Sequence, residues 1–164
     1  MMEIRRFKKE NAKEVSTLIC RNLMEVNIKD YSLDEMKRLV SVFTPEYVKE
    51  RAEKGHMYVA CEEEKIVGTA TISDYYGRKS ECIILSVFVL PELQGKSIGR
   101  MLIETLEKDE LAMRAERIEV PASITARDFY KKCGYHYKDG KKCLDNEGHI
   151  RMEKRKEKCY VKNV

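Results

Sequence analysis

The chain has 164 residues, 37% of them charged and 43% hydrophobic, enough for one domain with its own core but without the long apolar run a membrane span or a signal peptide needs. Lysine and arginine number 32 against 28 aspartate and glutamate, and the net +4 is interleaved along the chain, so no basic block marks a nucleic-acid partner. Six cysteines, Cys20, Cys61, Cys82, Cys133, Cys143 and Cys159, form no Cys-x-x-Cys pair, which excludes a zinc ribbon or disulfide framework and leaves reduced thiols in the cytoplasm as the expectation.

A first strand is expected over residues 3–7, then a helix from Asn11 with Glu14 as its capping-box partner. Val15, Leu18, Ile19, Leu23 and Val26 fall on one face of that helix. A second helix starts at Ser32 with Glu35 as box partner; a third has Thr44 as N-cap, Pro45 in its first position and Gly55 past its end. Residues 57–61 and 66–73 read as a hairpin, and Tyr75-Tyr-Gly-Arg-Lys79 turns the chain into a long strand over 81–89. The main helix follows from Ile98, with apolar residues at 98, 101, 102, 105 and 106. A strand at 117–120, a short helix capped by Ser123 and stopped by Gly134, and strands at 135–138 and 150–155 complete the order. The basic run from Arg151 to Lys158 alternates sign, as a solvated edge does. Cys133 and His136 have ligand-like spacing, with Cys143 and His149 as further donors, but the first pair falls inside the helix-stop segment.

The chemistry concentrates between residues 85 and 102. A strand ending at Leu90-Pro91 meets a helix through a glycine-containing turn, and the first turn of a helix presents amide N–H groups without internal partners together with the positive end of the peptide dipoles. Such a junction binds phosphate. Gly95-Lys96-Ser97 imitates the end of a P-loop but lacks its first glycine, where Leu90 stands, and a dinucleotide fingerprint needs three glycines that are not there.

Gln94-Gly95-Lys96-Ser97-Ile98-Gly99 resembles the Gln/Arg-x-x-Gly-x-Gly/Ala pattern of the GNAT superfamily of acetyltransferases, with Ser97 in place of the first motif glycine. Phe129-Tyr130-Lys-Lys-Cys-Gly134-Tyr135 resembles the Phe-Tyr-x-x-x-Gly-Phe/Tyr ending of a helix in the same family, and the element order follows the family across nearly the whole chain. The resemblance implies one α/β domain, residues 1–164, with a mixed, mostly antiparallel sheet splayed after its fourth strand and helices on both faces. It implies acetyl-CoA as co-substrate and no metal: the amides of Gln94, Gly95, Lys96, Ser97, Ile98, Gly99 and Arg100 on the pyrophosphate, Val87, Phe88 and Val89 along the pantetheine, Ser123 and Tyr130 nearby, and Lys96 and Arg100 adding charge. The acceptor would be an amine attacking the thioester directly, in a pocket from residues 26–31, 75–79 and 139–149, and a homodimer is common in the family.

Tyr130 would donate a hydrogen bond to the departing sulfur. The family often places a glutamate on the fourth strand as base, yet Ile83-Ile-Leu-Ser-Val-Phe88 contains no carboxylate. Glu81 near its start is the candidate, with Asp74, His56, Tyr75 and water as alternatives. A CoA-binding regulatory module of the same fold without catalysis is the competing expectation. Ser97 brings a β-carbon into a turn whose amide must approach phosphate, harmless at negative φ and strained at positive φ.

Overall fold

The computed structural model describes residues 1–156. Seven strands, β1 (Met2–Arg6), β2 (His56–Glu62), β3 (Lys65–Tyr75), β4 (Arg78–Val89), β5 (Arg117–Ala122), β6 (His136–Tyr137) and β7 (Ile150–Arg155), form one sheet in the order β1-β2-β3-β4-β5-β7-β6. All neighbouring pairs are antiparallel except β4 with β5. The expected mixed sheet is therefore present, and β6 and β1 are its edges. β7 lies inside the sheet, so Arg151 and Glu153 are half-buried and bind other side chains where a solvated edge was expected. Lys158 and Cys159 lie outside the described residues.

The helices are α1 (Ala12–Glu25), α2 (Leu33–Val42), α3 (Pro45–Lys54), α4 (Ile98–Glu107), α5 (Glu110–Arg114) and α6 (Arg127–Lys132). At α2 the capping box forms as expected: Ser32 Oγ accepts from the Glu35 amide and Glu35 accepts from the Ser32 amide. Thr44 caps α3 through the Tyr47 amide. At α1 the box does not form. A 3-10 turn over Lys9–Asn11 comes first, Asn11 Oδ1 accepts from Arg5 and the Lys8 amide, and Glu14 accepts from the Ile66 amide across to β3. Gly55 has extended φ, and a Cβ there would lie 2.6 Å from the Ile72 carbonyl oxygen; clearance against β3 demands the glycine.

The core runs through both layers. α1 contributes Val15, Leu18, Ile19 and Leu23; α4 contributes Ile98, Leu102, Ile103 and Leu106; β2 to β5 lie between, with Val59, Ala70, Ile72, Ile84, Ile118 and Val120 buried. Gly68 lets α4 settle onto β3, since a Cβ there would come within 3.0 Å of Leu102. Helix α5 was not foreseen: Asp109 starts it by accepting from the Leu111 amide.

Candidate active site

Strands β4 and β5 pair at only three positions, Glu81 with Arg117, Cys82 with Ile118 and Ile83 with Glu119. Beyond Ile83 the two strands separate, and residues 84–89 have no strand partner on the β5 side among the described residues. On the other side β4 stays paired with β3 but is bulged. Thr69 faces Phe88 and Thr71 faces Leu85, so Ser86 and Val87 oppose the single residue Ala70, and Ser86 adopts φ +55°. A bulge re-aims the backbone, here where the fork opens. Val87, Phe88 and Val89, expected along a pantetheine arm, form its β4 wall. Thr71, cross-strand from Leu85, keeps a buried hydroxyl oxygen without a hydrogen-bond partner among the described residues.

At the far end of β4 the chain passes through a 3-10 turn, Pro91–Leu93, and enters α4 by Gly95 at φ +79° and Ser97 at φ +67°, ψ 7°. Ser97 is thus left-handed, the strained alternative. No group of the described residues accepts from the amides of residues 95–100. Consecutive partnerless N–H groups at the start of a ten-residue helix make a concave anion cradle. Gln94 braces it, its side-chain amide donating to Asn22 on α1 and to the Val89 carbonyl. Gly99 answers a different need, since a Cβ would meet the Phe129 ring at 3.1 Å. Arg100 donates to the Lys132 carbonyl at the end of α6, while Lys96 is exposed.

Ser123 caps the turn before α6 by accepting from the Ala126 amide. Tyr130 on α6 is 4% exposed and packs edge-on against Phe129 and Tyr135. Its hydroxyl makes no hydrogen bond within the described residues, and burial pushes its pKa above the ordinary tyrosine value.

The candidate bases divide between two groups. His56 Nδ1 lies 2.9 Å from Asp109, which also accepts from Tyr58, and Asp74 pairs with Arg114; both are tied down against α5. Glu81 accepts from Arg117 at 3.2 Å, and that bond holds its carboxyl below the usual range. Tyr75 has the Arg117 guanidinium 5.0 Å from its ring centre and Lys138 Nζ 3.3 Å from its hydroxyl.

The second group centres on a residue that its sequence neighbourhood does not single out. Glu119, completely buried in the last paired position before the fork, accepts from Arg117 at 2.7 Å, Lys138 at 2.8 Å and Arg151 at 3.1 Å. Burial alone would raise its pKa, but the bonds from Lys138 and Arg117 hold it below the usual range. Arg151 also binds Asp145, whose other oxygen accepts from the amides of Glu147 and His149. Both ends of the 138–151 loop therefore converge on one carboxylate. The alternation Arg117-Ile-Glu-Val was the available signal. It reads as a half-exposed strand unless both faces are known to be covered.

Among the described residues no three His, Cys, Asp or Glu side chains converge as metal ligands would, and no helix is long and apolar enough to cross a membrane.

A model of the acetyltransferase (GNAT) family matches residues 20–135. No curated protein sequence matches the chain. Similar solved structures include PaiA N-acetyltransferase from Thermoplasma acidophilum in complex with coenzyme A, at TM-score 0.81 and 17% identity over 95% of this chain and 99% of that one. A GCN5-related N-acetyltransferase from Rhodopseudomonas palustris aligns at TM-score 0.77 and 22% identity, over 93% and 94% of the two chains. An aminoglycoside 6′-N-acetyltransferase complexed with coenzyme A aligns at 0.68 and 19%, over 93% and 96%.

Proposed function

The chain belongs to the acetyltransferase (GNAT) family, and from that premise we propose that it moves an acetyl group from acetyl-CoA to a primary amine of a small molecule or peptide. The observation that carries the proposal is the pairing of a forked, bulged β4 with an anion cradle directly after it. A pyrophosphate suits the amides of residues 95–100, and a pantetheine arm suits the free edge of residues 87–89, which offers main-chain groups to an extended ligand. Two of the similar structures were solved with coenzyme A, which supports the same assignment.

The acceptor then reaches the fork from the side where Tyr75, Glu81 and the 138–151 loop lie. An alkylamine of pKa about 10.4 deprotonates at pH 7 at a cost of roughly 4 to 5 kcal/mol. Glu81, kept ionised by Arg117, is suited to anchoring a water that takes the proton away, and a poor place to keep it. An unpaired β4 amide at the fork donates to the carbonyl oxygen as negative charge develops there. Tyr130 donates a hydrogen bond to the departing sulfur. Full transfer of its proton is disfavoured, because a thiolate whose thiol has a pKa near 8.5 is already a weaker base than a phenolate whose phenol has a pKa near 10, and burial widens that gap.

Thiol release with acetyl-CoA and a panel of polyamines, amino acids, aminoglycosides and peptide N-termini tests the proposal. Acceptor-dependent release with at least one amine, reduced in Glu81→Gln, is expected. Coenzyme binding by calorimetry with no release for any amine would instead identify a binding module that keeps the fold without the chemistry.

A further inference from the structure

Tyr31 closes the connection between α1 and α2, and its hydroxyl joins two other segments. It donates to the Gly148 carbonyl at 2.6 Å and accepts from the Ile124 amide at 3.0 Å. Beside it, Thr125 Oγ1 donates to Asp30 at 2.9 Å. The ring contributes as well as the hydroxyl: Gly148 has φ +78°, and a Cβ there would lie 3.0 Å from the Tyr31 ring. Glycine is required at that position for both backbone and clearance.

These contacts link parts of the chain with separate tasks. The turn at Ile124–Ala126, capped by Ser123, leads directly into α6 and Tyr130. Gly148 belongs to the loop whose two ends are fixed by Glu119 through Lys138 and Arg151. Glu119 thus holds the loop at its base, and Tyr31 holds its far turn against the segment that carries Tyr130. We propose that Tyr31 is a positioning residue that sets the acceptor-side loop, residues 144–149, in register with helix α6, so that a bound amine meets the thioester beside Tyr130. The proposal rests on the reading of the chain as an amine acetyltransferase whose acceptor enters on this side.

Tyr31→Phe keeps the ring against Gly148 and removes both hydrogen bonds. Asp30→Ala removes only the neighbouring bond to Thr125 and serves as a milder second variant. With the best amine of the panel, Tyr31→Phe raises the acceptor KM about tenfold, the size of one or two lost hydrogen bonds, and lowers kcat several-fold. Coenzyme affinity of the free protein stays within about twofold of wild type by calorimetry, since the cradle at 95–100 is not touched. A purely structural tyrosine would lower the melting temperature and leave the acceptor KM unchanged, and that result overturns the proposal.

Amide hydrogen exchange of the full chain supplies a readout without turnover. Residues 144–149 and 127–132 exchange faster together in Tyr31→Phe if the hydroxyl couples them, and unchanged exchange in either segment overturns the coupling. If both segments loosen while wild type acetylates no amine, the coupling stands and the reading of the chain as an amine acetyltransferase fails.

Discussion

Gly99 and Phe129 meet where α4 approaches α6: a Cβ on Gly99 would stand 3.1 Å from two carbons of the Phe129 ring. That ring in turn packs against Tyr130, with centroids 5.0 Å apart. The second glycine of the turn motif therefore leaves room for the ring that packs beside Tyr130. Replacing Gly99 by alanine gains at most about 1 kcal/mol of helix propensity and costs about 1 to 3 kcal/mol of overpacking, so the net effect runs from about zero to about 2 kcal/mol of destabilisation. Turnover is the sensitive quantity. Gly99→Ala is expected to lower kcat several-fold while the melting temperature falls by no more than about 8 °C; unchanged kcat would mean that Phe129 yields without moving Tyr130.

Ser97 carries the opposite kind of strain. At φ +67° it sits in the left-handed region as N-cap of α4, where a non-glycine residue costs roughly 1 to 2 kcal/mol. Glycine relieves that cost but gives back about 0.5 to 1 kcal/mol of chain entropy in the unfolded state. Ser97→Gly is thus expected to stabilise the protein by a few tenths to about 1 kcal/mol, visible as a small rise in the urea midpoint. Coenzyme affinity should hold or improve, because the amide that faces the anion keeps its direction. A loss of affinity would assign the serine hydroxyl a direct part in binding.

Short-range chemistry is written in the sequence and long-range pairing is not. Local signals were legible: the Ser32 and Thr44 caps, Gly134 at φ +92° after α6, and the strand-turn-helix at residues 85–102 all lie where short-range chemistry puts them. Non-local pairings were not. Glu14 has the spacing of a capping-box residue, yet it leaves its own helix for the Ile66 amide. Glu119 is surrounded by charges from β7 and from the 138–151 loop, and no window around residue 119 contains them. The β4 bulge depends on Ala70 being opposed by two residues, a matter of register. Family resemblance supplied the fork, because periodicity alone cannot tell where two strands part.

Acid stability should depend on Asp109. It is 5% exposed and accepts from Tyr58 at 2.6 Å, from the Leu111 amide at 2.9 Å and from His56 at 2.9 Å. Burial by itself would raise its pKa, but these hydrogen bonds hold it below the ordinary value of 3.8. A carboxylate depressed in the folded state contributes stability that is complete above its unfolded pKa and lost as pH falls through the folded one. The window therefore opens near pH 4 and extends downward, and Glu119, depressed in the same direction, adds to it. Asp109→Asn should lower the urea midpoint at pH 7, since hydrogen bonds to a charged group contribute about 1.5 to 3 kcal/mol, and should lose less between pH 5 and pH 3 than wild type does. Equal losses in the two proteins would remove Asp109 from the account.

Tyr130 offers the sharpest test of the chemistry, because its hydroxyl has no hydrogen-bond partner within the described residues while its ring is packed by Phe129 and Tyr135. Removing the hydroxyl alone leaves that packing intact, so Tyr130→Phe should keep the melting temperature and the coenzyme affinity. Turnover should fall at least tenfold, equivalent to about 1.4 kcal/mol of lost stabilisation of the departing sulfur. The pH profile separates a hydrogen bond from an acid. Burial raises the Tyr130 pKa above 10, so the phenol stays protonated across the working range and should impose no falling limb on kcat below about pH 10. A wild-type limb near pH 8 to 9 that vanishes in Tyr130→Phe would show a phenol titrating far lower than its burial allows, and would make proton donation the role in place of the hydrogen bond.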